Sequence, residues 1–269
     1  MPTSEKIRFE NVTKTFTVRD SKQKGKTQQF TAVKDLDFAV REGEFITLVG
    51  PSGCGKSTLL DLISGLSTPT RGRVYMDGQP ITGPGLDRGI VFQQYALFPW
   101  KTARGNIEFG LETKGVPKQE RKDLAEQYLA LVGLSAFGNR YPHELSGGMK
   151  QRVAIARSLA FNPDVLLMDE PFAALDAQTR ETLQSELLSI WQKTKKTIIF
   201  ITHGIDEAVF LGERVVVLTP GPGTLRKIVD IPLKHRLDDA DLRSHPEFVK
   251  ARHEVWSLLH ELEYKGAYI

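Results

Sequence analysis

Phe45-Ile46-Thr47-Leu48-Val49-Gly50-Pro51-Ser52-Gly53-Cys54-Gly55-Lys56-Ser57-Thr58-Leu59-Leu60 is the stretch that decides how the rest of the chain is read. Its first five residues form a short apolar run, as in a strand buried on both faces. Leu59, Leu60, Leu62 and Ile63 then recur at helical spacing, and the pattern stops near Gly65. Between strand and helix, Gly50 to Ser57 fits the pattern G-x-x-x-x-G-K-[ST]. The glycines let the backbone curl so that successive N–H groups point inward, and the helix N-terminus adds partial positive charge. Such a loop cradles phosphate. Lys56 is expected to reach the β- and γ-phosphates of a nucleotide and the Ser57 hydroxyl to ligate Mg²⁺. Gly50, Pro51, Ser52, Gly53, Cys54, Gly55 and Thr58 line the same cradle. Cys54 fills a variable position of the loop and is assigned no chemistry. Its nearness to phosphate predicts that alkylating the thiol interferes with nucleotide binding.

Outward from this loop, strands are expected at Ile7 to Phe16 and at Val33 to Val40, the second alternating through Leu36, Phe38 and Val40. The basic, polar residues Arg19 to Lys26 between them read as a solvated hairpin tip. Ile90 to Phe92 is a further strand, and helical patterns dominate from Arg104 to Ala160, including Lys118 to Val132. Val165 to Met168 restores a buried strand. Helix at Thr179 to Thr194, strand at Thr197 to Ile201, helix at Asp206 to Leu211 and strand at Arg214 to Leu218 follow. Strand and helix alternating on both sides of a helical block implies an α/β fold with an inserted helical subdomain. Ser244 and Glu247 form a capping-box pattern around Pro246, opening a helix whose Phe248, Val255, Leu258, Leu259 and Leu262 share one face. The expected division is a nucleotide-binding domain over 1–240, with its helical part at about 95–160, and a helical extension over 241–269.

Val165-Leu166-Leu167-Met168-Asp169-Glu170 delivers two carboxylates at the end of a buried strand. Asp169 is placed to hold Mg²⁺, directly or through water, and Glu170 to polarise an attacking water. An acidic turn after a strand is common on its own; the phosphate cradle gives this one its meaning. Leu145-Ser146-Gly147-Gly148-Met149-Lys150-Gln151-Arg152 starts another helix, with a hydroxyl and bare N–H groups at its N-terminus. That is a second anion site in one chain.

These residues resemble the signature motif of the ATP-binding cassette (ABC) ATPases. The resemblance implies a P-loop NTPase core with an antiparallel β subdomain and the inserted helical subdomain. It implies that Ser146, Gly147 and Gly148 of one subunit close on the γ-phosphate held by Lys56 of another, so that two chains sandwich two ATP molecules. It places Gln93 as the Q-loop glutamine sensing Mg²⁺ and the γ-phosphate. Asp176 falls in the D-loop facing the opposite subunit, and His203 is the switch histidine on the γ-phosphate and water. Phe16 is the ring that stacks on adenine, although a strand phenylalanine is also a common core residue. Pro84 to Gln93, Leu97-Phe98-Pro99-Trp100 and Asp169 to Asp176 are similar to the nitrate, sulfonate and taurine importer ATPases. Gly204 departs from the family, whose members commonly carry Asp after the histidine.

Composition agrees with an ordinary globular protein: 269 residues, 40% hydrophobic, 26% charged, net charge +3. So mild a charge does not by itself imply nucleic acid. One cysteine excludes an intramolecular disulfide and a four-cysteine zinc site. No signal-peptide pattern opens the chain, and no apolar run approaches the ~20 residues that span a bilayer. The resemblance implies a peripheral setting on the cytoplasmic face of a membrane, and no large regulatory C-terminal domain is expected. The expected partners are transmembrane permease subunits, a second ATPase subunit (the same chain or a close paralogue) and an extracytoplasmic solute-binding protein. Leu97-Phe98-Pro99-Trp100 lies where the family docks a coupling helix, with local core packing as the other reading. Alternatives are an exporter ATPase, an ABC ATPase acting on nucleic acid or ribosomes, and a nucleotide-dependent scaffold without turnover. The motifs Glu170 and His203 argue against the scaffold.

Overall fold

The computed structural model describes residues 4–19, 27–233 and 241–266. The chain divides into two compact units, Met1–Gly85 with Phe200–Ile269, and Leu86–Ile199.

In the first unit β1 (Glu5–Arg19) and β2 (Thr27–Arg41) form a long antiparallel hairpin, with Phe9 opposite Phe38 and Phe16 opposite Phe30. Phe9 and Phe38 stack at 4.5 Å between centroids, and Leu36, Phe38 and Val40 are buried, as the alternation predicts. β3 (Phe45–Val49) is buried at all five positions and leads into α1 (Lys56–Ser64), which Gly65 closes at φ 78°. β4 (Arg71–Met76) pairs antiparallel with the other edge of β1 and turns back through β5 (Gln79–Pro80). Later in the chain α6 (Ile205–Leu211), β9 (Arg214–Leu218), β10 (Leu225–Asp230) and α7 (Pro246–Gly266) complete this unit. β9 is wholly buried and parallel to β3, with Thr47 opposite Val215; β10 pairs antiparallel with β9. Glu44 and Arg214 form a buried bidentate pair (2.5 and 2.7 Å), and Arg214 also donates to Ala39 O at 2.8 Å. This pair ties the end of β2 to the starts of β3 and β9, and its hydrogen bonds hold the Arg214 pKa above its ordinary value.

The second unit contains β6 (Arg88–Val91), α2 (Ala103–Thr113), α3 (Lys118–Leu131), α4 (Gly147–Ala160), β7 (Val165–Asp169) and α5 (Ala177–Thr194). β6 and β7 are parallel, Val91 opposite Met168. β8 (Thr197–Ile201), buried throughout, carries the chain across the boundary between the units.

Three details differ from the sequence expectation. β4, β5 and β10 are strands that the reading left out. In β4 only Val74 and Met76 are buried, and in β10 only Val229, so neither shows an apolar run. The helix start at Ser244 shifts by one residue: Ser244 ends a 3₁₀ turn, α7 begins at Pro246, and His245 Nδ1 accepts from Glu247 N at 3.4 Å. Phe248 and Val255 are buried as expected, while Leu258 and Leu259 are half-buried and the Leu262 side chain lies outside the described residues. The basic residues Asp20 to Lys26 also lie outside them. Among the described residues no helix is long and apolar enough to cross a membrane.

Candidate functional site

The phosphate cradle grows from the end of β3. Gly53 and Gly55 take φ 77° and 90°, left-handed backbone that only glycine adopts without strain. Gly55 caps α1 without a side-chain hydrogen bond, and the first turn of α1 carries no acidic residue. Its N–H groups and positive dipole end are therefore compatible with an anion. The Lys56 ammonium lies against the loop it closes, donating to Gly50 O (2.8 Å) and Pro51 O (3.2 Å). Ser57 is exposed.

The loop is shaped from below by residues far away in sequence. A Cβ on Gly55 would meet Ala32 O at 2.9 Å and overlap the Val33 side chain. Gly223 packs under the loop so closely that a Cβ there would overlap the Cys54 carbonyl oxygen. Gly223 N donates to Ala32 O at 2.9 Å and Lys34 N to Gly223 O at 2.8 Å, so the β9–β10 turn is stitched to β2. Sequence reasoning missed this support, though Gly221-Pro222-Gly223 is a visible turn signal. Cys54 is fully buried between Gly50 and Gly223. Burial pushes its thiol pKa up, with Lys56 opposing only in part. Alkylation of this thiol, and the expected interference with nucleotide binding, therefore requires the loop to open first, because the thiol is shielded and burial disfavours its ionised form.

His203 leaves β8 at the same end. Thr202 N donates to Leu48 O at 3.2 Å, so the histidine emerges beside the strand that delivers Gly50. His203 is exposed. Gly204 caps α6 without a side chain; instead the Thr202 hydroxyl accepts from Gly204 N at 2.9 Å and donates to Glu207. The turn at Gly204 is thus held by a threonine two residues earlier. Phe16 is 36% exposed and carries the Lys14 ammonium 4.9 Å from its ring centroid. The ring is thus partly exposed and not part of the core.

In the second unit the parallel pair β6 and β7 ends on Gln93 and on Asp169–Glu170, bringing these three to one end of adjacent strands. Gln93 is exposed and both carboxylates are half-buried. Glu170 sits at φ 44°, a strained conformation of the kind stored at functional positions. Ser146 caps α4, its Oγ accepting from Met149 N at 3.3 Å. The glycines after it pack closely on neighbouring side chains. A Cβ on Gly148 would lie 2.8 Å from Thr179 Cγ2, and one on Gly147 3.3 Å from both Leu175 Cδ2 and Tyr95 Oη. Asp176 caps α5 by accepting from Thr179 N at 3.0 Å, which holds its carboxyl below the ordinary range. Arg180 donates to Phe172 O (3.3 Å) and Leu175 O (2.9 Å) and fixes the same turn.

Leu97-Phe98-Pro99-Trp100 divides in two. Phe98 packs on Phe109 at 4.6 Å, whereas Trp100 projects and is 69% exposed. Ser57 in the first unit, and Gln93 and Asp169 in the second, each carry a hard oxygen of the kind that suits Mg²⁺. Among the described residues no group of three His, Cys, Asp or Glu could hold a metal ion.

Known proteins give a consistent comparison. The family model described as ABC transporter matches residues 33–173. The nitrate import ATP-binding protein NrtD of Synechocystis sp. is 52% identical over 240 residues, covering 87% of this chain and 90% of that protein. The taurine import ATP-binding protein TauB of Pelagibacter ubique is 47% identical over 235 residues, covering 86% and 89%. Among solved structures, a dimeric post-hydrolysis state of the ATP-binding cassette MJ0796 bound to ADP and Pi aligns with a TM-score of 0.72. It is 36% identical and covers 85% of this chain and all of that one.

Proposed function

Because the chain belongs to the ABC transporter family of ATP-binding proteins, we propose that it is the ATP-hydrolysing subunit of a solute importer, working beneath a separate permease. The observation that carries this reading is that one chain holds two helix N-termini suited to anions and a strand ending on a carboxylate pair. α1 opens at Gly55–Lys56, α4 opens at Ser146, and β7 ends on Asp169–Glu170. The cassette dimer bound to ADP and Pi supports a second ATPase subunit, the same chain or a close paralogue.

In this reading the loop from Gly50 to Thr58 wraps the ATP phosphates and Lys56 neutralises their β- and γ-oxygens. Phe16 stacks on adenine. Ser57, Gln93 and Asp169 are the residues that would hold Mg²⁺, which when bound neutralises charge on the phosphates. Glu170 accepts the proton of the attacking water, and His203 orients that water and the γ-phosphate. Ser146 and Gly148 of the second subunit donate to the γ-phosphate, and the turn fixed by Asp176 faces that subunit. Stabilising charge that spreads in the transition state accounts for turnover, and loss of the γ-phosphate removes what holds the two faces together.

Trp100 marks the permease contact, since a ring this exposed is otherwise costly. The setting is the cytoplasmic face of the membrane, peripherally attached, with a solute-binding protein on the other side and a nitrate-, sulfonate- or taurine-like solute as cargo. The test is affinity purification of the chain from its own membranes in mild detergent. A polytopic membrane protein accompanied by a solute-binding protein is the expected result. A membrane protein alone would favour export, and ribosomal or DNA-repair partners without one would remove transport as the purpose.

A further inference from the structure

The residues between β6 and α2 turn through backbone that glycine takes freely and other residues do not. Tyr95 and Ala96 both lie in the left-handed region, at φ 59° and 48°. Two side chains hold this turn. Buried Asn106 accepts from Phe98 N at 2.8 Å and donates to the carbonyls of Phe98, Lys101 and Thr102 at 3.2, 3.1 and 3.0 Å. Arg157, in the last turn of α4, donates from Nη1 to Ala96 O at 2.6 Å and from Nη2 to Tyr95 O at 3.1 Å. Its guanidinium lies 5.8 Å from the Phe98 ring centroid.

Among the described residues no carboxylate pairs with Arg157, and burial lowers its pKa. The cation is thus committed to two carbonyls and a ring. At the other end of α4, the Tyr95 hydroxyl comes close to Gly147. The turn that begins at Gln93 and runs on to Trp100 therefore meets α4 twice, near Ser146 and at Arg157.

We propose that Arg157 is a positioning residue for ATP turnover. By holding the strained Tyr95–Ala96 carbonyls, it locks the Gln93 loop to the helix that Ser146 opens, so that the two shift together. The inference rests on the reading above in which Gln93 and Ser146 act on ATP. Adjacent carbonyls call for the two parallel donors of a guanidinium, which a lysine ammonium does not supply in that geometry.

The test uses the full chain carrying Arg157→Ala, Arg157→Lys, Ala96→Gly, and Arg157→Ala with Ala96→Gly. Hydrogen exchange over residues 92–100 and 146–150 is read alongside kcat and KM for ATP. Arg157→Ala is expected to speed exchange at Tyr95–Phe98 by about tenfold or more. It should lower kcat by about tenfold with KM within about twofold, because the phosphate loop is untouched. Adding Ala96→Gly should restore most of both, since glycine removes the left-handed penalty that the guanidinium offsets. Arg157→Lys, which keeps charge and bulk if the alanine variant folds poorly, should recover less than Ala96→Gly does. A kcat loss that Ala96→Gly leaves in place, or exchange that rises evenly across residues 86–199, overturns the proposal and leaves Arg157 as packing. Undiminished turnover in Gln93→Ala would instead overturn the site reading, and the exchange result would still judge the tie.

Discussion

Gly223→Ala tests the idea that the phosphate loop is shaped from beneath by the β9–β10 turn. The added methyl would overlap the Cys54 carbonyl oxygen, far inside the 3.0 Å that real Cβ atoms essentially never breach, and would lie 3.5 Å from Ala32 O. Both neighbours are backbone, so no flexible side chain can yield. Either the loop lifts or the turn withdraws from β2, straining Gly223 N→Ala32 O and Lys34 N→Gly223 O. Overpacking of this kind costs about 1–3 kcal/mol, and loss of one of the two hydrogen bonds adds about 1 kcal/mol. The expected loss is roughly 2–4 kcal/mol, divided between fold stability and nucleotide binding. At 1.4 kcal/mol per tenfold, even half of it on binding weakens ATP affinity by about five- to thirtyfold. Thermal melting with and without Mg-ATP, together with titration of a fluorescent ATP analogue, separates the two shares. Gly83→Ala is the control, because a Cβ there meets nothing within 4 Å. If Gly223→Ala melted and bound ATP like the Gly83→Ala control, the support assigned to this turn would be wrong.

Trp100→Ala should reduce recovery of the permease with the tagged chain by about tenfold, as expected of an exposed aromatic anchor, while ATP affinity of the isolated chain stays within about twofold; equal losses in both would point to a folding role for the ring. Cys54 should react with iodoacetamide at neutral pH at least about a hundredfold more slowly than in the denatured chain, given a buried thiol with a raised pKa. Comparable rates in the two states would mean that the thiol is open in solution.

The parts legible in the sequence are those where one physical signal acts alone. Phe45–Val49, Val165–Met168 and Arg214–Leu218 are central strands, and their unbroken apolar character marked them. The cradle, Ser146 and the Asp169–Glu170 pair were legible because their chemistry needs fixed residue types at fixed spacing. Half-exposed strands such as Arg71–Met76 stayed hidden, since Arg71 and Arg73 face solvent and only Val74 and Met76 are buried. Supports built by packing were also hidden. Nothing local ties Gly223 to Cys54, or Arg157 to Ala96, which lies 61 residues away. Cys54 shows the same limit: its place in the loop was readable, but its burial over the distant Gly223 was not.

The central claim is that Glu170 drives hydrolysis of an ATP held by Lys56 and closed upon by a second subunit. Glu170→Gln, which keeps size and removes the proton acceptor, tests it most directly when ATP turnover and mass by light scattering are measured in one Mg-ATP sample. The account predicts turnover down by roughly a hundredfold or more, with the chain shifted to an ATP-bound dimer that the unmodified protein does not accumulate. Turnover at the unmodified rate, or a variant that stays monomeric while saturated with ATP, would contradict it.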